Sequence, residues 1–359
     1  MAFRSAEEIA HVSSPIWQDV SSLAVAGRSI FCSGDESSSV ERVTLDPETG
    51  RAGEHESFAL GEAFELPEGP AGEMDIEGIA ISDGYLWICG SHSLKRDKPR
   101  EDDLAAMEEI DWDANRGFLG RVPLVDRGGG LFVPVVRHAM DGEPARTARM
   151  LKMKRGRRKA PLRKMLAKDP LIGPFVGLPA KENGLDIEGL AVRGDEVLLG
   201  LRGPVLRGLA MLVRIELDEK GERCLNPRKL AGGRRYSLHA FDLNGQGVRD
   251  LAWQGDRLLI LSGASTDLEA LQSVFAVEDF RPDRLVYPRE AVGRVLDLPI
   301  VRGADHAEGI ALIGEAGAER LPERLIVSYD SPHTDRTDPE EHELRADLFE
   351  IARPGRDAF

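Results

Sequence analysis

Carboxylates recur in this chain at a spacing that could hold a cation or move a proton. Asp75-Ile76-Glu77 and Asp186-Ile187-Glu188 each set two acids two residues apart, and Glu308 follows His306 at the same interval. Side chains two apart leave the same face of an extended strand, so each acid pair is expected to act together. Asp75, Glu77, Asp186, Glu188 and Glu308 are the candidate metal ligands. An oxygen-rich set suits hard cations, Ca²⁺ first with Mg²⁺ or Mn²⁺ as alternatives; the histidines leave room for Fe²⁺ as a lesser option. His92, His306 and Glu308 are the candidates for proton transfer, and Arg202 and Arg249 for steadying an anionic substrate. Three readings stay open for the acids: a metal or anion site, general acid and base groups, or scaffold that caps backbone N–H groups and pairs neighbouring elements.

The elements that must position these residues come from an internal repeat. Met74-Asp-Ile-Glu-Gly-Ile-Ala-Ile81 recurs as Leu185-Asp-Ile-Glu-Gly-Leu-Ala-Val192 and as Asp305-His-Ala-Glu-Gly-Ile-Ala-Leu312, with degenerate copies at Gln246–Trp253 and Gln18–Val25. Each copy leads through a polar turn into a second apolar run: Gly27–Ser33, Asp83–Cys89, Gly194–Gly200, Gly255–Leu261 and, after a longer turn, Arg324–Ser328. Gly-Asp or Asp-Gly between apolar runs signals a hairpin, which assigns Asp83, Asp195 and Asp256 to turn chemistry. A third strand follows in most copies (Ser39–Leu45, Gly117–Leu124, Leu209–Leu217, Ala346–Ile351), and a fourth ends at Phe64–Pro67 or Val295–Pro299.

Repetition of four short antiparallel strands predicts an all-β chain folded as a single β-propeller over residues 1–359. The third motif position falls at 21, 77, 188, 249 and 308, in steps of 56, 111, 61 and 59. The long step leaves room for a sixth, degenerate blade. Two insertions, about 95–115 and 145–170, account for it as well, and the lack of an inner-strand motif between them favours five blades. The second insertion is basic: residues 149–168 hold ten Lys or Arg and no acid. Its apolar residues, at roughly helical spacing around Pro161, predict a partly helical loop resting on an acidic body, with a dock for an acidic partner or anionic lipid as the sharper alternative.

In a propeller the start of each inner strand lies at the mouth of a central channel, and the loop after the second strand returns there. That geometry gathers Asp19, Asp75, Glu77, Asp186, Glu188, Arg249, Asp250, His306 and Glu308 from the strand starts. From the loops it brings Asp35, Glu36, His92, Arg202, Asp267, Asp330 and His333. So many acids around one opening repel one another, and their ionisation calls for a cation, for arginine or for raised pKa values.

Composition narrows the partners. The 359 residues are 42% hydrophobic and 30% charged, with a net charge of −15, which disfavours nucleic acid. Twelve Phe, four Trp and four Tyr are too few for an aromatic sugar-binding surface. No apolar stretch is long enough to span a bilayer, and the first residues lack a secretory pattern. Cys32, Cys89 and Cys224 form no CxxC pair. A reduced, cytoplasmic protein is the expectation. Nucleophile-elbow, phosphate-loop, HExxH and dinucleotide motifs are absent.

The Asp-Ile-Glu-Gly-(Ile/Leu)-Ala strands, together with Gly90-Ser-His-Ser93 and Gly200-Leu-Arg-Gly-Pro204, resemble a bacterial family of uncharacterised propeller proteins similar to the phytase-like, esterase-like β-propellers. The resemblance implies an acidic, calcium-rich mouth and phosphoester hydrolysis. The Glu-Gly dipeptide opening a blade is also similar to regucalcin-type lactonases, which implies a divalent metal held through Glu77, Glu188 or Glu308. The leading expectation is a metal-dependent hydrolase of a small ester, lactone or phosphoester at the channel mouth. The alternative is a non-enzymatic binding or scaffold propeller that recognises a partner protein or a small anionic ligand.

Overall fold

The computed structural model describes residues 1–9, 12, 14–34, 36–99, 103–140, 142–153, 160–266, 268–314 and 324–351. The chain is all-β, with short helical turns only in its connections. Each motif copy starts a strand: Ser22–Ala26, Ile76–Ser82, Asp186–Arg193, Gly247–Gln254 and His306–Ile313. Each of these pairs antiparallel with the following apolar run, which closes the hairpins expected from the turn residues. Asp83 (φ 50°) and Gly84 (φ 72°) both take left-handed conformations, the requirement of the tight turn that suits the strand twist.

The first sheet is a four-stranded meander through Ser29–Ser33, Ser39–Leu45 and Ala52–Ala59, and the fourth is another through Arg257–Gly263, Ser273–Val277 and Gly293–Asp297. The last has three strands among the described residues, with Arg324–Asp330 and Asp347–Glu350. The second and third sheets are joined at their periphery, where Arg149–Leu151 pairs with Leu119–Asp126 on one side and, in parallel, with Cys224–Pro227 on the other. The strand expected to end at Phe64–Pro67 ends earlier. Ala52–Ala59 is the strand, and Leu60–Ala63 turns as a short helix that buries Leu60 and Ala63.

One contact, repeated around the molecule, joins the motif strands in cyclic order. It runs from the fourth motif position of one copy to the fifth of the next. Where the fourth residue is polar it accepts a hydrogen bond: Ile79 N–H donates to Ser22 Oγ (2.9 Å) and Ile310 N–H to Asp250 Oδ2 (2.8 Å). Where it is glycine the neighbour sits where a side chain would be. A Cβ on Gly78 would lie 2.5 Å from Leu190 Cβ, one on Gly189 2.8 Å from Leu251 Cγ, and one on Gly309 3.1 Å from Leu23. The cycle passes directly from the second copy to the third, and from the last back to the first.

Apolar side chains fill the seams between neighbouring sheets. Leu258 and Ile260 face one seam while Leu259 and Leu261 face the next, the two-residue alternation of a strand buried on both faces. That is why Arg257–Gly263 reads as an unbroken apolar run. Cys32 and Cys89 are buried and free, with burial pushing both thiols up.

The basic insertion is partly helical, as expected. Helix Pro161–Leu166 buries Leu162, Arg163 and Leu166, while 154–159 lie outside the described residues. Arg163 donates to the carbonyls of His92 and Val176 and stacks 4.7 Å over Trp112. Burial with no carboxylate beside it lowers its pKa to about 10. Among the described residues, no helix is long and apolar enough to cross a membrane.

Candidate functional site

The strand starts are not regular. In four copies the pairing register slips between motif positions two and four, skipping the third residue in the ladder. Those residues are Glu77, Glu188, Arg249 and Glu308. A bulge of this kind turns a side chain away from the pleat, and here it occurs at the same step of each strand. The acid pairs expected to share a strand face are therefore set by the bulge as well as by the two-residue period.

Three of the third-position residues, Glu188, Arg249 and Glu308, meet in one ion network. Glu188, almost wholly buried, lies between two guanidinium groups. Arg202 Nη1 donates to its Oε1 at 2.9 Å, and Arg249 Nε lies 2.9 Å from its Oε2 without the alignment of a hydrogen bond. Arg249 continues to Glu308, which its Nη2 contacts. Arg202 Nη1 is also 3.9 Å from Asp186 Oδ2. On the far side Arg116 pairs with Asp75 (3.2 Å) and with Glu73, and donates to Ser93 Oγ (3.1 Å). Carboxylates from successive motif strands do converge, and arginine compensates their charge.

A cleft of about 1110 Å³ opens above this network. Asp75, Glu77, Asp186, Arg202, Arg249, His306, Glu308 and Asp330 line it, as do Asp19 and Glu36; Glu188 lies beneath. Asp186 is the distinctive group. Its Oδ1 is buried with no hydrogen-bond partner. Burial first, then the neighbouring Glu188 charge, push its carboxyl up to about 7 against the pull of Arg202. Arg202 Nε, Arg249 Nε and Glu188 Oε2 are likewise buried without aligned partners. Native interiors seldom leave such atoms unmatched, and a cluster of them in one cleft marks a place where a ligand or water completes the bonding.

The other expected residues divide. Asp250 does not reach the cleft: it is buried, it accepts from Leu251 and Ile310 N–H, and burial raises its carboxyl well above the ordinary range. His92 is fully buried, its Nδ1 2.9 Å from Gly90 O, and burial lowers its pKa to about 4. Neither feature suits a proton shuttle at the mouth. His306 stands at the cleft, half exposed, 4.0 Å from Asp330. Burial pushes the Asp330 carboxyl up, but the nearby His306, the hydrogen bond from Ser331 and the Arg249 charge outweigh it and hold it low. His333 caps a helical turn by accepting from Asp335 N–H (3.3 Å). Asp35 and Asp267 lie outside the described residues.

Sequence reasoning missed Arg116, Glu73, Ser93 and Asp305. Arg116 falls at the end of a charged insertion and in no repeat, so its place beside Asp75 left no periodic signal. Asp305, which opens the last motif copy just ahead of His306, takes φ 56°; it accepts from His333 N–H (2.7 Å) and Arg336 Nε (2.8 Å), anchoring the loop that follows Asp330.

The donor set does not fit the expected Ca²⁺, Mg²⁺ or Mn²⁺. Among the described residues no three His, Cys, Asp or Glu side chains cluster at ligating spacing. Guanidinium groups face the carboxylate oxygens of Asp75, Glu188 and Glu308, so a cation would have to displace them. The role foreseen for a metal, neutralising the ring of acids, falls to Arg116, Arg202 and Arg249.

Residues 19–347 match a family model described as "Protein of unknown function (DUF3616)". No curated protein matches the chain. Among solved structures it is similar to the PQQ-bound form of an aldose sugar dehydrogenase from Streptomyces coelicolor, at 14% identity and TM-score 0.37 over 97% of this chain and 84% of that one. It is similar to the periplasmic gluconolactonase PpgL of Pseudomonas aeruginosa, at 14% identity and TM-score 0.32 over 97% and 88%. A third is Kluyveromyces lactis Hsv2, at 12% identity and TM-score 0.29 over 93% and 73%. Likenesses this distant carry no chemistry.

Proposed function

The chain belongs to the DUF3616 family, and from its own channel mouth we propose that it is a five-bladed propeller hydrolase acting on a small ester or lactone, with Asp186 as the proton-transfer group. The blade count rests on the closed cycle of five motif strands. The activity rests on one observation: a buried carboxyl with a free oxygen, lining a cleft and poised near neutral pH. A base whose pKa lies near the working pH is best matched to proton transfer.

The reaction runs as follows. Asp186 Oδ1 takes a proton from a water as its oxygen bonds to the substrate carbonyl carbon. Arg202 and Arg249 steady the negative charge that develops on the carbonyl oxygen. The C–O bond to the alcohol then breaks, and Asp186 returns the proton to the departing alkoxide. His306, with Asp330 beside it, would relay protons between the cleft and solvent. Neutral esters and lactones are favoured over phosphoesters because acids outnumber arginines at the mouth and repel a phosphate dianion.

The test is a panel of p-nitrophenyl esters, lactones and phosphoesters with native protein and Asp186→Asn. Turnover of an ester or lactone is expected, falling about 10²- to 10⁴-fold in the variant and unchanged by EDTA. Native protein inert on the whole panel, or a fully active variant, overturns the reading in favour of a binding propeller. Loss with EDTA restored by Ca²⁺ or Mn²⁺ would return the metal to the mechanism.

A further inference from the structure

The cleft is chemically lopsided above its charged floor. One flank carries Lys95, Arg96, Lys98 and Glu182. The flank beside it, from the loops at 268–272 and 299–304, is joined to it by the Glu182–Thr266 bridge and is largely apolar, and its Leu268 and Ile300 are 74% and 62% exposed. These are among the largest exposures of any apolar side chain in the described chain. Water contact at a bare leucine and isoleucine is unfavourable, and the backbone gives them no route inward. Gly303 N–H donates to Glu269 Oε1 (2.5 Å), Leu298 N–H to Gln272 O (3.0 Å), and Gln272 makes two hydrogen bonds with Ala307. The two loops are tied to each other and to the last motif strand, so the apolar flank is held open.

A small lactone ring alone would leave most of a cleft this size empty, since about 300–1,000 Å³ already accommodates drug-sized ligands. We infer that the substrate carries an unbranched apolar chain of several carbons, lying along Leu268 and Ile300 while its ester or lactone head meets Asp186. The inference rests on the hydrolytic reading and names its substrate class. Flank and floor line the same cavity, so a chain attached to the head can lie along the apolar side.

The experiment is a chain-length series. With p-nitrophenyl esters from acetyl to octanoyl, kcat/KM is expected to rise about two- to fourfold per methylene, the upper value being the ~0.8 kcal/mol of a buried CH₂. Leu268→Ser combined with Ile300→Ser should collapse the series toward its shortest member, with the circular dichroism spectrum unchanged. A flat series in native protein, or a slope kept in the double variant, overturns the inference. Calorimetric binding of the N-methyl amides of the same acyl series to native protein separates this from the parent reading. A chain-length slope in affinity without turnover of any ester keeps the apolar flank and sinks the hydrolase, whereas turnover with no slope in either series does the reverse.

Discussion

Asp186 and Arg249 do different work within one ion network, and substitution should separate them. Asp186 is held partly against its own charge. Its folded pKa, near 7, lies above the ordinary carboxylate value of about 3.9. The stability it contributes is therefore intact below about pH 4 and drains as pH rises through 7, over the interval in which its ionised form becomes available for the proposed proton transfer. Asp186→Asn should lose turnover yet melt no lower, and at pH 8 higher, than native protein in thermal scans. Arg249 is the reverse case. Removing it takes from Glu308 its guanidinium contact and leaves Glu188 with Arg202 alone, so Arg249→Met should cost about 3–5 kcal/mol in urea unfolding. Adding Glu308→Gln should recover part of that loss; a double variant no better than the single one would show that Arg249 acts through packing alone. His92 carries a third sign. Its pKa is lowered to about 4, so stability is full above pH 6.5 and drains by on the order of 3 kcal/mol as pH falls through 4. His92→Gln should flatten that acid limb.

At the scale of the element, the motif's fourth position decides how closely neighbouring strands approach. Gly189→Ala would press its Cβ to 2.8 Å from Leu251 Cγ and 3.0 Å from Val248 Cγ1, within a seam packed on both sides. A loss of about 1–3 kcal/mol is expected. Gly194→Ala is the contrast. Nothing lies within 4 Å of its Cβ, so its cost comes only from the left-handed φ of 59°. At the two positions where a polar residue replaces glycine, the bond to the next strand should be felt directly. Asp250→Ala is expected to cost about 1–3 kcal/mol by orphaning Ile310 N–H, measurable by denaturant unfolding and by faster exchange of that amide. No change in either would mean that water takes over the bond.

At the scale of the whole molecule, the strand starts, the hairpin turns and the all-β class were legible because they are local. Period-two apolar runs, Gly-Asp turns and the repeated motif each act within a few residues. The acidic floor was legible too, since the motif carries Asp75, Glu77, Asp186, Glu188 and Glu308 in plain view. The compensation was only half legible. Arg249 occupies a motif position and Arg202 follows a hairpin, but which acid each would meet depends on the angle between neighbouring sheets, and Arg116 arrives from an insertion. His92 shows the limit from the other side. A Gly-Ser-His-Ser loop after the second strand is expected at the mouth, yet φ 55° at His92 and the carbonyl of Gly90 turn the imidazole into the interior.

The chain by itself determined which residues repeat, where strands begin and turn, and that carboxylates from distant segments would share one opening; these follow from short-range sterics and burial pattern. Only the tertiary structure decided that the third motif residue sits on a bulge, that arginine stands where a cation was expected, and that one carboxyl, Asp186, is left buried with an oxygen free. Those outcomes depend on distances of a few ångströms between segments that only folding brings together. Electrostatic energies at such distances turn on burial and orientation, which no spacing along a sequence records.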